Sequence, residues 1–453
     1  MSIDFSCQPA TAIESILNGS PYQGYSYSYP HKSAYRQFNE PVSLQNLWAP
    51  ETTDSLFLYL HIPFCEYRCG FCNLFTQANP EDGLTRRYLH QIQAEAQQVT
   101  DALGEFRFAR LAIGGGTPTF LTVDELTSLF ELVTGSLGFD LHSDAGTLVP
   151  ASVEVSPPTI DRDKLALLAG HNIERISIGV QSFAEDEVHQ LGRPQKRDEA
   201  HAALSLIREF DFPRLNVDLI YGGEGQSVET FLDSIDQALV HRPEELYLYP
   251  LYVRPLTGLG RLDRDWDDQR LAMYREARQK LLGSGYRQNS MRMFEREDLL
   301  ESCGPAYCCQ TDGMIGLGVG ARSYTTEVHY STEYAVGRTG VKSIIADYLS
   351  RKANEFAAAQ YGDRLSIDDQ RRRFALQSLL QTDGLELAAY ESRFGTSVFE
   401  HLPQLGELID TGLACHDEQT LALTSAGLER SDAVGPWLYS PRVCDLMSEF
   451  ELQ

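Results

Sequence analysis

The chain has 453 residues, and 64 acidic against 38 basic side chains give it a formal charge of −26. That length exceeds the roughly 250–300 residues at which single cores stop growing, so one large domain with satellites is expected. An apolar content of 42% excludes a disordered chain, and the acidity argues against a nucleic-acid-binding face and against docking on anionic membranes.

Residues 1–50 read as a loop-like arm containing PYQGYSYSYPHKSAYRQF at 21–38. Regular alternation begins near Ser55. Runs rich in Val, Ile, Leu and Tyr predict strands at Leu56–His61, Arg110–Gly114, Ser152–Val155, Arg175–Val180, Leu215–Tyr221 and Glu245–Leu251. Helical spacing predicts Leu84–Val99, then Leu126–Leu137 behind a Thr122/Glu125 capping box, then Asp161–Ala169, Asp198–Phe210, Val228–Val240 and Asp268–Leu282. Strand followed by helix, six times over, is the pattern of parallel βαβ units, which close as a barrel or lie as an open sheet. Two more strand-like runs follow near Gly285–Met293 and Met314–Gly318. After Gly362 the helical stretches Asp368–Gln381 and Leu385–Arg393, the shorter turns Glu407–Gly412 and Ser425–Leu428, and the strand Leu421–Thr424 suggest a winged-helix-like module for packing or partner docking. No apolar run approaches a membrane span. The N-terminus, MSIDFSCQPATAIES, carries neither a basic nor an apolar leader segment. A reducing cytoplasm is therefore expected, where nine cysteines mean metal or catalysis more often than disulfides.

Residues 59–75, YLHIPFCEYRCGFCNLF, place Cys65, Cys69 and Cys72 in a C-x3-C-x2-C pattern on the loop after the first strand. Thiolates suit iron–sulfur clusters or zinc. A structural zinc wants a closed set of four ligands, and no second pair is near. Three cysteines on a cubane [4Fe–4S] cluster leave one iron open to a small molecule. Gly114-Gly115-Gly116-Thr117-Pro118 ends the second strand without the Lys-Ser/Thr of a phosphate loop. Glu154, Gln181 and Asp218 stand at or near the ends of the third, fourth and fifth strands, and Arg193 lies in the following QLGRPQ loop, where a barrel carries its chemistry.

With these motifs in this order, the chain resembles the radical S-adenosylmethionine (SAM) superfamily, and within it the oxygen-independent coproporphyrinogen III oxidase-like family, over residues 55–325 and more weakly beyond. The resemblance implies an α/β fold with a partial (β/α)6 TIM-like barrel: an N-terminal arm at 1–50, the barrel at 51–300, an extension with a glycine-rich strand at 301–362, and the winged-helix-like module at 363–453. It implies that Cys65, Cys69 and Cys72 ligate a [4Fe–4S] cluster and are catalytic through it. It implies that Gly115, Gly116, Thr117, Glu154, Gln181, Arg193 and Asp218 contact SAM, with Tyr59 and Phe71 flanking the cluster loop as shields or adenine stacks and Tyr252 offering backbone. The chemistry implied is cleavage of SAM to a 5′-deoxyadenosyl radical and oxidative decarboxylation of a porphyrinogen propionate, a step of porphyrin biosynthesis. The partners implied are a carboxylate-bearing small-molecule substrate and an electron donor such as flavodoxin or ferredoxin. Two alternatives stand beside it: a radical C-methyltransferase using two SAM molecules, and a heme chaperone that retains the cluster.

The sequence departs from the family at Leu74, where the oxidases carry a further Cys, and at Gly223 and Glu224, which stand where the family has Leu and Pro. The chaperone-like His-Asn-x-x-Tyr-Trp segment corresponds to Cys303-Gly304-Pro305-Ala306-Tyr307-Cys308, without its His and Trp. Cys303, Cys308 and Cys309 are read as free thiols or a redox or cluster site. Cys7, Cys415 and Cys444 have no assigned role. His61 is read as a hydrogen-bonded structural residue. Tyr25, Tyr27, Tyr29, Tyr35, His31, Lys32 and Arg36 form either a substrate-binding arm or a cover for the open barrel edge. Lys32, Arg36, Arg193 and Arg322 are the candidate carboxylate anchors.

Overall fold

In the computed structural model the described residues are 13–26, 28–139, 149–253, 257–259, 269–299, 308 and 311–451. The chain gathers into two compact units, each built from non-consecutive segments: Met1–Tyr35, Trp266–Asp298 and Asp363–Glu451 form one, and Arg36–Asp265, Leu299–Gly362 and Leu452–Gln453 the other.

The larger unit is α/β. Its strands are β1 (Arg36–Ser43), β2 (Leu56–Ile62), β3 (Phe108–Gly115), β4 (Ala151–Val155), β5 (Arg175–Gln181), β6 (Arg214–Tyr221), β7 (Glu245–Pro250), β8 (Met314–Leu317), β9 (Arg322–Tyr324), β10 (Val328–Ser331) and β11 (Ala358–Arg364). Among the described residues, β2 to β7 are six parallel strands that neighbour one another in chain order, as successive βαβ units of a partial barrel require. On the far side of β2 the sheet continues through β8 (parallel to β2), β9, β10 and β11 to β1. The sheet is therefore mixed.

Period-2 alternation explains the strand packing. Leu58, Leu60, Val153, Ile176, Ile178, Val217, Leu246 and Leu248 are fully or almost fully buried. The alternate positions carry Tyr59, Ser152, Glu154, Arg175, Asn216, Asp218 and Tyr247, which keep more surface or hydrogen-bond one another. Four of the strands are one residue longer than their apolar runs predict, β3 is three longer, and β7 ends one residue earlier, at Pro250. Val228–Val240 forms as predicted, and the Thr122/Glu125 capping box is present with both reciprocal bonds. Helices Glu185–Gln190 and Arg338–Ser350 and strand β1 escaped the sequence reading, the second although its buried Val341, Ile344, Ile345 and Tyr348 repeat at helical spacing.

The smaller unit contains helices Ile367–Leu379, Leu387–Phe394, Val398–His401 and Leu405–Asp410 with a three-stranded sheet of Leu385–Glu386, Thr420–Leu423 and Ala414–His416, a winged-helix-like order. Its core includes Phe374, Leu379, Tyr390, Leu405, Leu421 and Val434, and joined to them are Ile16, Tyr29 and Ala34. Tyr29 of the arm therefore belongs to this core. Tyr29 is 1% exposed, donates its hydroxyl to Asp369 Oδ1 at 2.8 Å and packs on Tyr439, and the Arg292 guanidinium lies 3.9 Å from the Tyr25 ring centroid. Tyr35 is fully buried, so the expectation that this stretch presents its tyrosines to a substrate is corrected for Tyr29 and Tyr35, whose rings lie inside the protein, while Tyr25 is half-buried. Tyr27 lies outside the described residues. Cys444 is disulfide-bonded, which corrects the reading of it as a cysteine without a role.

Candidate active site

The cysteine loop leaves the C-terminal end of β2. Phe64–Cys65 pairs in parallel with Gln77–Ala78, which clamps the two ends of the loop together. Inside it, Cys72 N–H donates to Cys69 O at 3.1 Å, and Arg68 reaches the carbonyls of Cys72 and Val336. Gly70 is held by backbone bonds on both sides, donating to Leu191 O and accepting from Leu259 N–H, both at 2.8 Å. Phe71 packs on Leu191, Ile220 and Leu251 beside Tyr249. The three thiols are close enough to feel one another's charge. Burial first, then Cys72 and Cys69, push the Cys65 thiol up to about 12 against the pull of Thr117 and Arg193.

The glycine triplet at the end of β3 has a separate reason at each position. A Cβ on Gly114 would lie 2.8 Å from the Glu154 carboxyl carbon; on Gly115, 2.7 Å from the His61 ring; on Gly116, 2.6 Å from Phe64 O and 2.9 Å from Cys65 Sγ. Gly115 also adopts φ +117°, which an L side chain resists. The triplet thus lets the carboxylate, the imidazole and the thiol close in together. Thr117 Oγ1 lies 3.7 Å from Cys65 Sγ. His61 is hydrogen-bonded at both ring nitrogens, to Tyr59 OH (3.2 Å) and Phe75 O (3.0 Å), the structural role read for it. Tyr59 is therefore oriented by its hydroxyl.

Glu154 accepts from Gly115 N–H at 3.0 Å. It keeps accessible surface, yet protein surrounds it, and that enclosure raises its carboxyl above the ordinary value despite Gly115 and Arg175. Asp218 accepts from Asn216 Nδ2 at 2.7 Å, and burial lifts it from 3.8 to about 7; Asn216 and Arg175 pull it down, Glu154 and Glu245 push it up. Gln181 sits at a bulge: Gly179 pairs with Asp218, but Gln181 pairs with Leu219. Its φ of +73° is a left-handed conformation outside glycine, and a Cβ on Gly179 would lie 2.7 Å from its amide nitrogen. Arg193 is buried and donates to Gln195, Ser156, Gly179 O and Cys69 Sγ.

One residue of this face escaped the sequence reading. Arg175 opens β5, pairs with Glu245 at 2.6 Å, donates to Ser152 Oγ at 3.2 Å and lies 5.6 Å from the Tyr247 ring centroid. Alternation places it on the same face as Asp218, but no motif marks it. Of the other candidates, Arg322 opens β9 against the Tyr324 ring. Arg36 is on the edge strand β1, separated from β2 by four strands, so it does not join these strand ends as a carboxylate anchor, and Lys32 belongs to the other compact unit. Tyr252 follows β7 and is half-buried. Cys308 is exposed, and Cys303 and Cys309 lie outside the described residues.

The family model of the radical SAM superfamily matches residues 59–238, and that of the HemN C-terminal domain matches 365–429. Residues 59–238 thus carry a radical SAM domain. Members of this superfamily use a [4Fe–4S] cluster and SAM. Oxygen-independent coproporphyrinogen III oxidase of Escherichia coli is 28% identical over 432 residues, covering 89% of this chain and 91% of the relative. Heme chaperone HemW of Bacillus subtilis is 26% identical over 381 residues, covering 82% and 95%. The solved structure of coproporphyrinogen III oxidase (HemN) from Escherichia coli shares the fold at a TM-score of 0.78 and 23% identity, covering 98% of this chain and 100% of that one. This radical SAM chain is therefore HemN-like, with relatives of both oxidase and chaperone name. Among the described residues no helix is long and apolar enough to cross a membrane.

Proposed function

We propose that the cysteine loop and the strand ends form one radical SAM site working on a carboxylate-bearing, porphyrinogen-like substrate by oxidative decarboxylation. The observation that supports it most is the convergence of Cys65, Glu154 and His61 on the glycine triplet, each filling the space one missing Cβ leaves. The donor set fits the cofactors: three thiols share one clamped loop, and two enclosed carboxyls face the same side of the sheet. Cys65, Cys69 and Cys72 would hold the cluster. Gly115, Gly116, Thr117, Glu154, Gln181, Arg193 and Asp218 would hold SAM. When bound, the pair supplies a hydrogen-abstracting 5′-deoxyadenosyl radical.

The chain's own residues do the rest. Glu154 and Asp218 offer acceptors to ammonium or hydroxyl donors. The strained Gln181 backbone aims its amide at a fixed point. Phe71, Leu191, Ile220 and Leu251 form an apolar wall that keeps water from the loop. Asn216 and Arg175 keep Asp218 from rising further, so that its carboxylate form is reached near neutrality. A small electron-transfer protein such as flavodoxin or ferredoxin would reduce the site.

The test is anaerobic turnover of the reconstituted protein with SAM, a strong reductant and coproporphyrinogen III. The expected products are 5′-deoxyadenosine and a tetrapyrrole that has lost CO2 and two hydrogens per propionate. Tight heme binding without 5′-deoxyadenosine would overturn this reading in favour of a chaperone, and S-adenosylhomocysteine would overturn it in favour of methyl transfer. Cys65→Ser should abolish iron loading and cleavage together.

A further inference from the structure

Arg193 follows helix Glu185–Gln190 and is only 7% exposed. The partners of its fork are specific. Nε–H donates to Gln195 Oε1 at 2.9 Å; Nη2 donates to Ser156 Oγ at 3.0 Å and to Gly179 O at 2.6 Å; Nη1 donates to Cys69 Sγ at 3.6 Å. The guanidinium carbon lies 5.6 Å from the Tyr67 ring centroid. Three protein oxygens therefore fix the plane and rotation of the group, and what they leave is one nitrogen directed at sulfur. An ammonium, a point charge without a planar fork, could not satisfy the same four directions.

We propose that Arg193 donates an N–H···S hydrogen bond to the Cys69 thiolate in the loaded protein and thereby raises the reduction potential of the cluster. This rests on the reading of Cys65, Cys69 and Cys72 as its ligands. Reduction adds negative charge to the cluster and its sulfurs, so a donor and a positive charge at one sulfur favour the reduced form, more so in a buried site. The same guanidinium grips Ser156, two residues after Glu154, and Gly179, two before Gln181. The sulfur is thus tied to both strand ends that would meet SAM.

The experiment uses full-length protein grown on 15N-guanidino arginine, reconstituted, and reduced without SAM. Pulsed EPR of the reduced cluster should show a 15N coupling that is absent from the Arg193→Lys and Arg193→Gln proteins. EPR-monitored redox titration should give both variants a midpoint more negative than that of the unsubstituted protein. Tyr67→Leu, which removes the ring beneath the fork, should shift in the same direction by less. A fully loaded cluster without 15N coupling overturns the inference, as does Arg193→Lys at an unchanged midpoint. If the Arg193 variants fail to load iron, the labelled unsubstituted protein decides alone. Failure of that protein itself to bind iron would overturn the cysteine assignment, a distinguishable result.

Discussion

Asp218→Asn is nearly isosteric and keeps an oxygen to accept from Asn216, so it isolates one quantity, the cost of an enclosed charge. The folded carboxyl titrates at about 7, against 3.8 when free of the fold. Its folded value is raised, so the folded state holds the proton more tightly. The protein then loses stability as pH climbs from 3.8 to about 7 and levels off above, a loss of about 4 kcal/mol at 1.36 kcal/mol per tenfold. The amide of the variant does not titrate and suffers none of it. Between pH 5 and pH 8 the stability of the variant relative to the parent should therefore grow by about 2–3 kcal/mol, a factor near 100. Hydrogen exchange of the slowest amides in β6, measured on apo protein at both pH values, reports this directly, because any pH-independent cost of the substitution cancels in the comparison. SAM affinity should fall in the same variant, the stability–function opposition expected of a binding carboxylate. An advantage that does not change between pH 5 and pH 8 would refute the claim that Asp218 is held protonated by enclosure.

Gln181→Gly relieves a left-handed backbone, so stability should hold or rise by up to about 1 kcal/mol while SAM binding by equilibrium dialysis weakens; a clear loss of stability would show that the bulge is not strained. Gly116→Ala puts a carbon against Phe64 O and Cys65 Sγ, so iron content after reconstitution should fall to that of Cys65→Ser, while limited proteolysis of the smaller unit stays unchanged. Tyr29→Phe removes a buried hydroxyl from Asp369 and should cost about 1–2 kcal/mol in urea unfolding of that unit. Asp369 is opposed by burial but held below its ordinary value by Ser366, Ser440, Tyr29 and Arg442. It therefore contributes stability above pH 3.8 that is lost as pH falls further, and Asp369→Asn should flatten the acid limb of the melting curve below about pH 4.

Much of the parallel sheet is legible before any coordinates, because alternation and helical periodicity are local properties. So is the cysteine loop, whose spacing and place after the first strand carry chemical meaning by themselves. What is not legible depends on partners distant in sequence. Leu385–Arg393 reads as one helix, yet Leu385–Glu386 is captured as a strand by Leu421 and Thr420, and tertiary pairing overrides propensity. The arm reads as polar and aromatic, but nothing local says that Tyr29 will meet Asp369, 340 residues away. Arg193 is read as a SAM contact from its loop, while its sulfur partner is visible only in three dimensions. Arg175 is missed because a strand pattern gives a face and not a neighbour.

The glycine triplet has a consequence for how this chain can change. Its three positions should look equally intolerant in a substitution scan, yet their second-site suppressors should differ. Gly114→Ala meets a flexible carboxylate, and shortening it with Glu154→Asp offers an escape. Gly115→Ala meets an imidazole locked at both nitrogens and a φ of +117°, so a smaller residue at His61 forfeits its bonds to Tyr59 and Phe75 and still leaves the backbone strained. Gly116→Ala meets the carbonyl of Phe64, a main-chain atom that no codon change can remove. The three neighbouring glycines thus differ in evolutionary reversibility: a side-chain change can free the first, while main-chain geometry holds the other two.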